Sequence, residues 1–103
     1  MSLAIANRYA TALAEALSGD KADTTPQAAL DQLRDFQGTI ASAPELKTLF
    51  SAPSVDVESK KRLAEKIGER IGFSKSVRNL VFVLLDNRRI TLLPELITAF
   101  ELW

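Results

Sequence analysis

Apolar residues recur three and four positions apart along most of this chain, which is the spacing of one face of an α-helix. The clearest example lies in the middle of the chain, where Leu30, Leu33, Phe36 and Ile40 follow that spacing. No useful length alternates apolar and polar residues with the period of two that a half-buried β-strand shows. The pattern therefore predicts an all-α protein, a compact bundle of six helices.

Residues that cap or break helices mark where each predicted helix begins and ends. The predicted helices cover about 3–18, 26–42, a short piece after Pro44, 56–71, 75–87 and the stretch from about Thr91. Ser42 and Glu45 fit a capping box at the start of the third helix. Gly72 fits the glycine position just past the end of the fourth helix, and Ser74 is a capping residue for the fifth.

The first predicted helix carries more apolar surface than one packing neighbour needs. At about 100° per residue, one arc of roughly 80° forms a sufficient core stripe. This core arc holds Leu3, Ala6, Ala10, Leu13 and Leu17. A second apolar arc, centred about 110° away, holds Ile5, Tyr9, Ala12 and Ala16. The alanines of the second arc leave room for another helix to come close.

The fifth predicted helix shows the same excess of apolar surface. Its core side holds Val77, Leu80, Val81, Leu84 and Leu85. Phe82 and Val83 fall outside that arc, with Asn79 and Asp86 between them. From the pattern alone two interpretations stay open. The two residues either recognise a partner, with the polar neighbours setting the register, or pack beneath neighbouring helices.

Composition narrows the possible functions mainly by exclusion. The 103 residues are 47% hydrophobic and 25% charged, as in an ordinary folded domain with a single core. Thirteen basic and thirteen acidic residues cancel, which argues against nucleic-acid binding. The chain lacks His and Cys, and its four glycines form no phosphate-binding loop. We therefore expect a non-enzyme without catalytic, cofactor-binding or metal-binding residues.

The longest apolar run, residues 80–85, is too short to cross a bilayer, which needs roughly 20 residues. We therefore expect no direct membrane insertion.

A run of basic residues on the fourth predicted helix leaves an alternative function open. The run comprises Lys60, Lys61, Arg62, Lys66 and Arg70, interleaved with three glutamates. It is typical of a solvated helix face. It could also contact an acidic or phosphate-bearing partner, which would make the chain an all-α RNA- or protein-binding adaptor.

Four short motifs occur in order along the chain. They are Ala6-Asn7-Arg8-Tyr9-Ala10, Ala43-Pro44-Glu45-Leu46, Ser51-Ala52-Pro53 followed by Lys60-Lys61, and Asp86-Asn87-Arg88-Arg89-Ile90. Together they resemble the N-terminal domain of the delta subunit of rotary ATP synthase, whose mitochondrial counterpart is the oligomycin-sensitivity-conferring protein. The resemblance covers essentially the whole chain. Position 88 departs from it, because many relatives carry Gly there, and we expect Asn87 to take the left-handed conformation at this helix end.

The resemblance implies a stator role in ATP synthesis coupled to hydrogen ion transport. In this family the first and fifth helices lie side by side, and their groove receives the amphipathic N-terminal helix of an alpha subunit of the catalytic head. The resemblance predicts partner-binding roles for Tyr9, Ala12, Asn79 and Val83. The helical wheel adds Ala16 and Phe82.

The resemblance also implies the setting of the domain. Residues 1–103 are expected to form one head-binding domain of a longer subunit, which continues with a second domain. That missing part would join the b subunits of the peripheral stalk. The complex would hold the domain peripherally, at the cytoplasmic face of the bacterial inner membrane.

Overall fold

The computed structural model describes residues 2–103. Over these residues the chain forms six α-helices and one 3-10 turn, with no strand. The helices are α1 (Ser2–Ala16), α2 (Pro26–Ser42), α3 (Pro44–Ser51), α4 (Val57–Ile71), α5 (Lys75–Asp86) and α6 (Leu93–Glu101), and the 3-10 turn (Ile90–Leu92) precedes α6. The predicted all-α bundle of six helices is confirmed, and the predicted bounds of α2 match those observed.

Three of the helices begin at residues whose side chains accept a hydrogen bond from the first turn. Thr25 caps α2, Asp56 caps α4 and Ser74 caps α5 as predicted. The capping box predicted at Ser42 is wrong. Ser42 is the last residue of α2, and its hydroxyl donates to the carbonyl of Thr39 at 3.1 Å. Only Ala43 separates α2 from α3, and it caps α3 without a side-chain bond.

Two helices end at a residue with positive φ. Gly72 follows α4 with φ 92°, as predicted. At the end of α5 the prediction is wrong, because Asn87 has φ −91° and Arg88 has φ 56°. The amides of Arg88 and Arg89 donate to the carbonyls of Leu85 and Leu84, at 3.1 and 2.7 Å. This is the Schellman pattern, and it requires the left-handed conformation at position 88.

The core lies where α1, α2, α5 and α6 meet. Its fully buried large side chains are Leu33, Phe36, Val77, Val81, Leu84, Leu85, Leu93 and Leu96. The contact between α1 and α6 is the most extensive between any two helices. The predicted core arcs of α1 and α5 are buried, except that Leu3 is 58% exposed.

Helix α4 packs through small residues. Its buried positions are Lys60, Ala64 and Gly68, whereas the larger apolar residues Leu63, Ile67 and Ile71 are only partly buried. A side-chain carbon at position 68 would overlap the ring of Phe73. That ring packs edge-on against Phe36, with the ring centroids 5.4 Å apart. The glycine therefore allows Phe73 to lie directly over α4.

Candidate functional site

A hydrogen-bonded link joins α1 to the end of α5. The hydroxyl of Tyr9 accepts hydrogen bonds from Asn87 Nδ2 at 2.9 Å and from Arg89 Nη1 at 3.2 Å. Tyr9 is half-buried against the core. The link holds the ring of Tyr9 at the boundary between the two helices.

A row of residues on α5 continues from this link. Asn79, Val83 and Asn87 are spaced four apart, so they lie on one side of the helix. Because Tyr9 contacts Asn87, this row runs beside α1. Asn79 is exposed, and Val83 is 42% exposed although it is apolar.

The small residues of α1 complete the surface. Tyr9, Ala12 and Ala16 fall within about 60° of one another around α1, and both alanines are exposed. We call the surface formed by Tyr9, Ala12, Ala16, Asn79 and Val83 the α1–α5 face. It combines the exposed apolar side chain of Val83, the small side chains of two alanines on α1 and the amide of Asn79. Such a surface can accept the apolar side of another helix.

Phe82 lies on a different side of α5. The amine of Lys61, on α4, is 5.6 Å from the ring centroid, and the guanidinium carbon of Arg78 is 5.9 Å from it. Around α5, Phe82 is about 100° from Val83, and Asn79 lies between them. Five of the six residues predicted to bind a partner therefore lie on the α1–α5 face, whereas Phe82 lies on the side of α5 near Lys61 of α4.

One residue of the basic run on α4, Lys61, is paired with two carboxylates. Lys61 Nζ lies 2.7 Å from Asp86 Oδ1 and 4.0 Å from Glu58 Oε1. The hydrogen bond to Asp86 raises the pKa of Lys61, and the charges of both carboxylates add to this. Lys60 is buried, and Lys66 and Arg70 are exposed. The run is therefore not one continuous basic surface.

The partners of Tyr9 could not be read from the sequence. Asn87 and Arg89 are 78 and 80 positions away along the chain, and both follow the end of a helix. The sequence did indicate that the hydroxyl of Tyr9 has some partner. Tyr9 is the only tyrosine of the chain, and it lies on a helix arc beside the core stripe. A hydroxyl at such a boundary usually needs a hydrogen-bond partner.

The described residues hold neither a cluster of metal-binding side chains nor a helix that could span a membrane. Within residues 2–103, no three side chains of metal-binding type come together. No helix in this range is both long enough and apolar enough to span a membrane.

The sequence of the chain is similar to the sequences of one known protein family. The family model described as "ATP synthase delta (OSCP) subunit" matches residues 5–103. The ATP synthase subunit delta of Koribacter versatilis is 30% identical over 92% of this chain and 52% of its own length. ATP synthase subunit 5, mitochondrial, of Yarrowia lipolytica is 31% identical over 90% of this chain and 42% of its own length.

The chain spans about half the length of the curated relatives it matches. No solved structure matches it.

Proposed function

This chain belongs to the ATP synthase delta (OSCP) subunit family, and from that membership we propose that it is the head-binding domain of a stator subunit. The domain would hold the catalytic head against the torque of the rotor. A second part of the same subunit would join the b subunits of the peripheral stalk. The work is mechanical, and it needs a rigid domain and a contact with a slow off-rate.

We infer that the partner is the amphipathic N-terminal helix of an alpha subunit, held on the α1–α5 face. The observation that carries this proposal is the set of exposed small and apolar side chains on two helices in contact, Val83 among them. The hydrogen bonds of Tyr9 to Asn87 and Arg89 support it, because they fix the relative position of the two walls before a partner arrives. A preformed surface loses less conformational freedom on binding.

A peptide titration tests the assignment. A synthetic peptide covering the predicted amphipathic helix of the partner alpha subunit is titrated into the wild-type chain, Ala12→Trp and Val83→Asp. The tryptophan would block close approach of the peptide, and the aspartate would be buried without a partner in the complex, which costs several kcal/mol. We expect each variant to bind at least about tenfold more weakly.

Matched controls separate a local effect from a general one. Ala41→Trp adds the same side chain at an exposed alanine of α2, and Leu102→Asp adds the same charge at an exposed apolar residue. Both controls should bind like the wild type, and circular dichroism should show that all four variants are folded. Equal binding by Ala12→Trp, Val83→Asp and the wild type would refute the assignment.

Two further measurements define the surface and the class of partner. Phe82→Ala reports whether the contact reaches the α4 side of α5; unchanged binding would confine it to the α1–α5 face. The salt dependence of binding distinguishes the head-binding function from the adaptor alternative. Contacts to phosphates weaken steeply as the salt concentration rises, whereas an apolar contact does not. Loss of binding in Lys66→Glu, together with a steep salt dependence, would favour the adaptor.

A further inference from the structure

A cleft with a positive charge lies where α3, α4 and the end of α5 meet. Its volume is about 280 Å³. None of its eight lining residues is acidic, and two of them, Lys60 and Arg88, are cationic. The only α5 or α5-end residues among them are Leu85 and Arg88, and none belongs to α1, so the cleft is separate from the α1–α5 face.

Lys60 is an unusual residue for its position. It lies on the inward side of α4 and is only 6% exposed. None of the ion pairs or side-chain hydrogen bonds formed within residues 2–103 involves it. The next residue, Lys61, instead pairs with Asp86. The aliphatic stem of Lys60 is therefore buried, and its ammonium group opens onto the cleft without a counter-ion among residues 2–103.

Arg88 supplies the second charge and is also in a costly conformation. The end of α5 requires a left-handed residue at this position, and Arg88 fills it with φ 56°. Glycine would meet the same requirement at a lower cost. The side chain of Arg88 forms no ion pair within the described residues. Backbone strain of this kind is concentrated at ligand sites.

We propose that this cleft binds one oxyanion group, a phosphate or a carboxylate, between the ammonium group of Lys60 and the guanidinium group of Arg88. The hydroxyl of Thr91, which also lines the cleft, is a further donor. The hydroxyl of Ser51 is not, because it already donates to the carbonyl of Lys47 at 2.8 Å. A guanidinium group suits oxyanions of both kinds, since it can offer two parallel hydrogen bonds. The oxyanion supplies the counter-charge that Lys60 lacks.

Nuclear magnetic resonance titrations of the 103-residue chain test the proposal. Inorganic phosphate, acetate and chloride are added at matched ionic strength while the backbone amides are followed. We expect saturable shifts at Thr91 and Arg88 with an oxyanion but not with chloride. A response to phosphate alone would identify the ligand as a phosphate, and a response to acetate alone would identify it as a carboxylate. A response to both would mean that the site binds either kind of oxyanion. No saturable shift at these amides beyond that of chloride would overturn the proposal.

Two variants connect the binding to the two cations. Lys60→Met keeps an apolar stem of similar length and removes the charge, and we expect it to weaken oxyanion binding at least about tenfold. Lys66→Met is the matched control, since Lys66 is exposed on the same helix. Arg88→Gln is the second test and serves alone if Lys60→Met does not fold. Wild-type binding by the folded variants would overturn the proposal.

Discussion

Two helical glycines have opposite surroundings, and these surroundings decide what each glycine contributes. At Gly38 in α2, an added side-chain carbon would meet no atom within 4 Å. At Gly68 in α4, the same carbon would overlap the ring of Phe73. Only the second glycine is needed for packing, because the ring above it is held between α4 and Phe36.

Alanine at these two positions should therefore change stability in opposite directions. We expect Gly38→Ala to raise the free energy of unfolding by about 0.5–1 kcal/mol, because alanine favours a helix over glycine. Gly68→Ala should lower it by about 1–3 kcal/mol, the usual cost of overpacking a core. Urea unfolding of the two variants measures both changes. A stabilised Gly68→Ala would mean that Phe73 can move aside, and the close packing over α4 would then not depend on the glycine.

At the scale of elements, the start of α5 is held by a loop that is distant in sequence. Asp23, between α1 and α2, accepts hydrogen bonds from the amide and the hydroxyl of Ser76, at 2.9 and 2.6 Å. Gln32 of α2 accepts a hydrogen bond from the amide of Ser74 at 2.8 Å. The hydrogen bonds from Ser76 lower the pKa of the Asp23 carboxyl group.

The lowered pKa predicts how stability depends on pH. A carboxyl group whose pKa is lower in the folded chain stabilises the fold above its unfolded pKa, about 3.9, and this contribution is lost as the pH falls through the folded value. Asp23→Asn should therefore lose less stability than the wild type on acidification below about pH 4. Urea unfolding at a series of pH values measures the difference.

Asp20→Asn is the control for this prediction. Asp20 is exposed in the same loop, and its side chain forms no hydrogen bond within the described residues. Its variant should follow the wild-type pH dependence. If Asp23→Asn and Asp20→Asn behaved alike, the link from Asp23 to Ser76 would not contribute to folding.

Helix bounds could be predicted where the signal is local, and packing partners could not. Thr25-Pro26, Gly72 and Ser74 each act on their own helix end, so the sequence predicted those ends. Ser42 misled, because it is the last residue of α2, as the predicted bounds already had it, and Ala43 instead occupies the cap position of α3. Arg88 was missed because the position of the left-handed residue depends on where α5 ends.

For the candidate site as well, the sequence predicted which residues of a single helix lie outside the core, but not which neighbours they contact. A helical wheel correctly places Ala12 and Val83 outside the core, because that property depends on one helix at a time. It does not show which neighbour lies beside each residue. Phe82 therefore could not be assigned to the α4 side before Lys61 was seen near its ring.

At the scale of the whole molecule, the first and last helices form the largest contact. Helices α1 and α6 pack together although most of the chain separates them. The single tryptophan, Trp103, donates a hydrogen bond from Nε1 to Thr11 Oγ1 of α1 at 3.2 Å. The radius of gyration of 12.9 Å agrees with the value of about 13 Å for one compact domain of this length.

The packing of the first helix against the last predicts a single unfolding transition. Because α1 is packed against α6, neither terminal helix should separate while the core remains folded. Tryptophan fluorescence, which reports on the α1–α6 contact, and circular dichroism, which reports on all helices, should give coincident denaturation curves. An earlier transition in fluorescence would show that the terminal helices open first.

The pairing of α1 with α6 also determines how the domain would transmit a mechanical load. Suppose that a partner is held on α1 and a pull is applied at Trp103. The force then passes from α6 to α1 through their shared contact, which is the most extensive between any two helices. Many side chains along the two helices bear the load together, so the contact resists as a joint rather than opening one turn at a time. The rupture force of the α1–α6 contact is therefore the quantity that single-molecule stretching would measure.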